Sequence, residues 1–163
     1  MRALGRMREA IDAGTDPNQV VEAAARVICE ELGARTVTVT LLDDEYYRDL
    51  VKVGDFTPEE AVDPDERFPV ADYPEATARL LAHQAYVSGE RGEHVTEEHL
   101  QIVPPDRVSG FMGVPIVAAG RVRGEVFATR RASEPSFTGD DVSVARDLAT
   151  ELGTAFPELL PQG

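Results

Sequence analysis

One cysteine, Cys29, and three histidines, His83, His94 and His99, hold most of the reactive chemistry of this 163-residue chain. A lone thiol excludes an internal disulfide and any CxxC metal or redox site. Cys29 falls within a helical apolar pattern and reads as a small core residue. His94-Val-Thr-Glu-Glu-His99 gathers zinc-ligating residue types, but the spacing is wrong for one ion. Zinc-protease helices aim two rings with an i, i+4 pair, whereas a fifth residue turns the second ring by roughly 140° around the helix. This stretch therefore reads as a charged, exposed helix. Asp140-Asp141 has the residue types for acid/base work, yet at a helix start the two carboxylates complement the macrodipole and cap orphan amides. Gly120-Arg-Val-Arg-Gly124 reads as a hairpin turn and not as a phosphate cradle. No Ser/His/Asp arrangement stands out, so the sequence assigns no catalytic residue, no metal and no cofactor.

Length and composition allow one core and one domain. The hydrophobic fraction is 42%, and no apolar run approaches the roughly 20 residues of a membrane-spanning helix. The opening MRALGRMREAIDAG is interrupted by Arg2, Arg6, Arg8 and Glu9 and lacks the apolar stretch of a signal peptide. A cytoplasmic location is the expectation. The formal charge of −14 repels phosphate backbones and anionic lipid, which argues against nucleic-acid and membrane partners.

The elements follow from periodicity. Residues 1–15 form an N-terminal helix with Leu4, Met7 and Ile11 on one side, a candidate dimerisation element. Asp16 caps a second helix, with Pro17 in its first turn and Gln19 closing a capping box; Val20, Val21, Ala24, Val27, Ile28 and Leu32 keep the 3.6-residue period until Gly33. From Thr36 the period becomes two, with Val37, Val39 and Leu41 alternating with threonines, and Asp43-Asp44-Glu45 turns the chain into a second strand, Tyr46 to Val53. Phe56 to Tyr73 is irregular, proline-rich and acidic, long enough for a functional loop. A helix from Pro74 to His83, read through Ala78, Leu81 and Ala82, precedes a short strand, Ala85 to Ser88. Another short helix is expected near Thr96, before Pro104-Pro105.

The strongest β signal, Gly110 to Ala118, turns at Ala119-Gly120-Arg121 into Val122 to Thr129. Pro115 must sit at an edge, at a bulge, or where its missing donor faces no partner. Thr138 with Asp141 caps a last helix through Val144, Ala145, Leu148, Leu152 and Phe156, which Pro157 should end. The domain proper spans 16–157, and 158–163 is a short tail.

This order of elements, the segment Gly113-Val-Pro-Ile116, the hairpin glycines Gly120 and Gly124, and Ser136-Phe-Thr-Gly-Asp-Asp141 before the last helix resemble the GAF family. The resemblance covers roughly Asp16 to Phe156. It implies an α+β fold with a central antiparallel sheet of about five to six strands. Terminal helices would pack on one face and short helices and loops roof a small-molecule pocket on the other. Phe68, Tyr73, Tyr86, Phe111, Phe127 and Thr129 are the implied lining, with Arg67 and Arg131 candidates to hold an anionic ligand. Each ligand class of the family meets an obstacle. The cyclic-nucleotide motif is matched by Phe137 and Asp141 but not in its Asn-Lys half; bilin attachment needs a pocket thiol; the family's methionine sulfoxide reductases need several cysteines; haem needs an axial ligand, for which the three histidines are the candidates.

Two functions are therefore expected. The first is a non-catalytic sensory domain whose ligand orders Phe56 to Tyr73 and signals through the flanking helices to a separate protein. The second is a ligand-free interaction module that homodimerises through the Leu4, Met7, Ile11 stripe.

Overall fold

The computed structural model describes residues 2–14, 16–88 and 107–159. Their elements run α1 (Arg2–Ala13), α2 (Pro17–Leu32), β1 (Thr36–Leu42), β2 (Tyr46–Gly54), β3 (Phe68–Pro69), α3 (Pro74–Leu81), β4 (Tyr86–Val87), β5 (Val108–Ala118), β6 (Arg121–Arg131) and α4 (Gly139–Leu159). The six strands form one antiparallel sheet in the order β3-β2-β1-β6-β5-β4. The helix expected near Thr96 and the His94–His99 cluster lie outside the described residues.

Local chemistry fixes the helix ends. Asp16 caps α2 by accepting the amide of Asn18 at 3.0 Å, one residue earlier than a capping box with Gln19 would have it. Beyond Leu32, Gly33 N–H bonds Glu30 O and Ala34 N–H bonds Cys29 O, the paired bonds of a Schellman end. Thr138 and Asp141 form the expected reciprocal cap: Asp141 N–H donates to Thr138 Oγ1 at 3.2 Å, and Thr138 N–H donates to the Asp141 carboxylate at 2.9 Å. Just before it Phe137 is buried with the Arg130 guanidinium stacked 4.6 Å from its ring centroid. α4 continues to Leu159, two residues past the proline expected to stop it. Proline's fixed φ is helical, so in a last turn it removes one bond without ending the coil.

One face of the sheet carries the main core. α2 packs on β1 and β2, and α4 on β5, while α1 lies across α2 and α4. Val37, Val39, Val114, Ile116, Leu148, Leu152 and Phe156 are each at most 1% exposed there, and burial of such side chains contributes roughly 1.5–3 kcal/mol apiece. The α1 stripe faces this core within its own chain: Met7 is fully buried, and Leu4 and Ile11 pack beside it. Arg8 bonds Glu151 of α4 at 2.9 Å, and Arg6 bonds Glu31 of α2 at 2.6 Å.

α3 covers part of the opposite face, and it does so by a different side from the one periodicity suggested. Ala76, Thr77 and Leu80 are buried, whereas Ala78 and Ala82 are exposed and Leu81 is 59% exposed. The buried set follows Tyr73, whose ring turns inward at the helix start and sets the phase. Pro115 occupies the third of its allowed settings. Phe111 N–H points to the β4 side, where it meets Ser88 Oγ at 2.7 Å, so the nitrogen of residue 115 points that way too. β4 pairs only with Gly113 and Met112, and the proline lies past its end. At the β5–β6 turn Ala119 and Gly120 both take positive φ, 53° and 76°, as a two-residue hairpin requires.

Candidate functional site

The pleat of β1 sends Val37 and Val39 to the helices and Thr36, Thr38 and Thr40 to the other face. These threonines are also buried, between 1% and 5% exposed, so something covers them. Register places Thr38 between Lys52 of β2 and Phe127 of β6, and Thr40 between Asp49 and Glu125. A bulge makes the β2 side possible. The β1–β2 pairing steps from Val39↔Val51 to Thr40↔Asp49, skipping Leu50, and this extra residue brings Asp49 and Lys52 to the same face. In an unbroken strand, side chains three apart point oppositely.

The cover is the Phe56 to Tyr73 segment, secured first at Glu60. Within a 3-10 turn, Pro58–Glu60, the Glu60 carboxylate receives both guanidinium nitrogens of Arg35 at 2.9 and 3.0 Å and Arg107 at 2.7 Å. Lys52 Nζ donates to the Glu60 carbonyl at 2.8 Å and lies 5.3 Å from the Phe56 ring centroid. The Arg35 fork pulls the Glu60 carboxyl down to about 2, with Arg107 adding to it and burial opposing. Farther along, β3 pairs Phe68 with Tyr47, and Tyr73 meets Tyr47 edge to face at 5.7 Å. Tyr47 Oη and Thr77 Oγ1 are 2.5 Å apart, tying this wall to α3.

Between roof and sheet lies a cavity of about 390 Å³, bounded by Thr38 and Thr40, Tyr47, Asp49 and Lys52, roof residues from Glu59 to Glu66, and Phe68, Tyr73, Tyr86, Glu125 and Phe127. Glu125 is its most enclosed carboxyl, 6% exposed, and accepts the Tyr86 hydroxyl at 2.7 Å. Burial, with the Asp49 charge adding, pushes its pKa up to about 8 against the opposing Tyr86 bond. Asp49, held by Thr40 Oγ1 at 3.0 Å, is raised as well, chiefly by burial. Lys52 is lowered by burial, against the pull of Glu60 and Asp49. Desolvation keeps the Tyr86 and Tyr47 phenols protonated. The Tyr86–Glu125 pair also explains Gly113: a Cβ there would lie 2.3 Å from the tyrosine ring and 2.5 Å from Glu125 Oε2.

Of the expected lining, Phe68, Tyr73, Tyr86 and Phe127 border the cavity. Phe111 stands beside it, because α3 covers that end of β5; its ring packs at 5.4 Å on Phe127 in a second apolar cluster with Leu80 and Tyr86. Thr129 is one step too far along β6 and shares a 2.6 Å hydroxyl contact with Thr36. Arg67 alternates outward from Phe68 and borders a different cleft, with Tyr46, Arg48, His83, Arg121 and Arg123, donating to the Pro64 and Glu66 carbonyls. Arg131 pairs with Glu134 at 3.6 Å. Neither arginine borders the cavity.

Cys29 lies on α2, across the sheet, its thiol donating to Ala34 O at 3.4 Å and pushed up by burial. Thr38, Thr40, Tyr47, Asp49, Lys52 and Glu125 were not anticipated. Glu125 had a signal, a single carboxylate within the apolar run Val122 to Thr129. Asp49 and Lys52 had none, since the bulge defeats alternation.

The sequence profile of the GAF domain, matched against this chain, aligns with residues 14–156. The chain belongs to the GAF domain family. Solved GAF-type structures share its fold. A far-red-absorbing dark-state structure with bound biliverdin IXa superposes with a TM-score of 0.78 at 15% identity, covering 96% of this chain and 98% of that one. The GAF domain from an Acinetobacter phosphoenolpyruvate-protein phosphotransferase gives 0.74 at 15% identity, over 99% and 95%. Residues 122 to 287 of a methyl-accepting chemotaxis protein give 0.69 at 19% identity, over 98% of each. No curated protein sequence matches the chain. Membership makes it a sensory or regulatory domain by class. No helix among the described residues is long and apolar enough to cross a membrane.

Proposed function

We propose that this GAF domain is a non-catalytic, cytoplasmic sensory domain that binds a small organic molecule between its sheet and the Phe56 to Tyr73 roof. The observation that carries the reading is the cavity itself. Its volume of about 390 Å³ falls in the range of small-molecule pockets, and its walls combine aromatic rings with a few converging polar groups. A filled core would have favoured the interaction module instead. The roof is held firmly at Glu60, while Ala61 and 63–67 are exposed, so a ligand has a covering segment to order. β6 carries Glu125 and Phe127 of the cavity floor and pairs along its length with β5, on which α4 is seated, which gives occupancy a mechanical route to the terminal helices.

A bilin does not fit these residues. The only thiol is across the sheet, and the lining holds carboxylates where a tetrapyrrole's own carboxylates need cations. The test is a thermal-shift screen of a broad metabolite panel, since a ligand of the native state raises the melting temperature by mass action. At least one compound should raise it, and no longer do so in Tyr86→Ala. A panel with no stabilising compound overturns the reading.

A further inference from the structure

Resting on the sensory reading, the lining points to a ligand class: we infer that the cavity takes a small organic cation, an ammonium group joined to a compact apolar body. Two independent features of the walls carry this. The first is aromatic. Three of the four tyrosines of the chain, Tyr47, Tyr73 and Tyr86, border the cavity together with Phe68 and Phe127. Rings gathered from β2, β3, the start of α3, β4 and β6 form a partial cage, and ring faces attract an ammonium, most strongly where water is excluded.

The second is the balance of charge. Asp49 and Glu125 on the floor, and Glu59, Asp63 and Glu66 in the roof, face the space, and Lys52, the one cation of the lining among the described residues, is engaged by the Glu60 carbonyl and the Phe56 ring. Glu60 itself is held by Arg35 and Arg107. An anionic ligand would meet these carboxylates, with Lys52 already engaged as the only cation that the described residues bring to the lining. An ammonium would meet Asp49 and Glu125 from opposite sides of Thr40, with the rings enclosing its apolar part.

The fit also explains what a buried Glu125 does at the floor of a regulatory pocket. Without ligand, enclosure and the neighbouring Asp49 favour its neutral form; an arriving cation supplies the counter-charge that lets it ionise. Binding therefore releases a proton, and the proton and ligand equilibria are linked.

Calorimetric titration with matched probes separates the possibilities: phenethylamine, a cation at neutral pH, phenethyl alcohol, neutral, and phenylacetate, an anion, each at millimolar concentration. The cation should bind about tenfold more tightly than the alcohol, with phenylacetate weakest. Glu125→Gln, which keeps an acceptor for the Tyr86 hydroxyl, and Asp49→Asn should each weaken cation binding much more than alcohol binding and so remove most of that preference. Equal or tighter binding of phenylacetate overturns the cation assignment but leaves a ligand pocket. Cation binding unaltered in both variants overturns it too, by placing the cation elsewhere. Silence from all three probes overturns it as well, and the wider metabolite panel then decides separately whether the cavity binds anything.

Discussion

The two faces of β1 are made by neighbouring residues and differ in kind. Val37 and Val39 are fully buried against α2 and the main core, where fit is a matter of volume. Thr38 and Thr40 are nearly as buried, yet they border a cavity and stand beside Asp49, Lys52 and Glu125. One face is filled and the other enclosed. Burial by itself thus separates nothing here; what separates the faces is whether the covering element interdigitates with the sheet or arches over it. α2 and α4 interdigitate. The roof is fastened at Glu60, at β3 and at Tyr73 and leaves a space between.

Substitutions of similar burial should divide along that line. Phe156→Ala, on the filled face, removes a fully buried ring and should cost about 3–5 kcal/mol by urea denaturation. Thr38→Val, on the enclosed face, keeps the side chain's volume beside the cavity and gives up at most one hydroxyl hydrogen bond, so it should change stability by about 1 kcal/mol or less. Comparable losses from the two would mean that the roof packs on the threonines as tightly as the helices pack on the valines.

A smaller effect is expected at the roof's fastening. Arg35→Ala leaves Glu60, whose side chain is 12% exposed, with Arg107 and Thr57 as its side-chain partners. The cost should be about 2–4 kcal/mol, and it should come with a specific symptom: faster cleavage by trypsin after Arg67, since the segment that carries it has lost its anchor. Loss of stability with cleavage unchanged would show that the Arg35 fork braces the end of β1 and not the cover.

How much of this was readable from the chain follows the same division. The filled face announces itself by period: 3.6 in α2 and α4, two in β1, with Asp16, Gly33 and Thr138 marking the ends. Misreadings arose where tertiary contacts set the phase. α3 is short enough that Tyr73, outside it, decides which side is buried, and so Ala76 and Leu80 took the place of Ala78 and Leu81. In β2 the bulge at Leu50 reverses the alternation, which hides Asp49 and Lys52 from any sequence pattern. Aromatic residues were found because they are few and large; the carboxylates that give the cavity its electrical character were masked by thirty acids spread over the chain. Glu125 stands out as the one carboxylate of the run Val122 to Thr129.

That isolation has a measurable signature. The pKa of Glu125 is raised in the folded chain to about 8 from an ordinary 4.5, so the native state holds its proton more tightly than the unfolded one. Its contribution to stability is complete below about 4.5 and is lost as pH rises through 8. Glu60, displaced the other way, to about 2, acts only below about 4.5 and leaves that window clear. The groups that face Glu125 are Tyr86 from β4, Asp49, Tyr47 and Lys52 from β2, and Tyr73 before α3. Of these, Asp49 is raised in the same direction by its own burial, so it reinforces the slope. Wild-type protein should lose about 1 kcal/mol or more of unfolding free energy between pH 5 and pH 8 relative to Glu125→Gln, with the Asp49→Asn/Glu125→Gln double variant flatter still. Parallel profiles for wild type and Glu125→Gln would mean that Glu125 is already ionised in the empty pocket. The enclosed face would then be solvated at its floor, and its difference from the filled face would be wider than the fractional exposures of its residues convey.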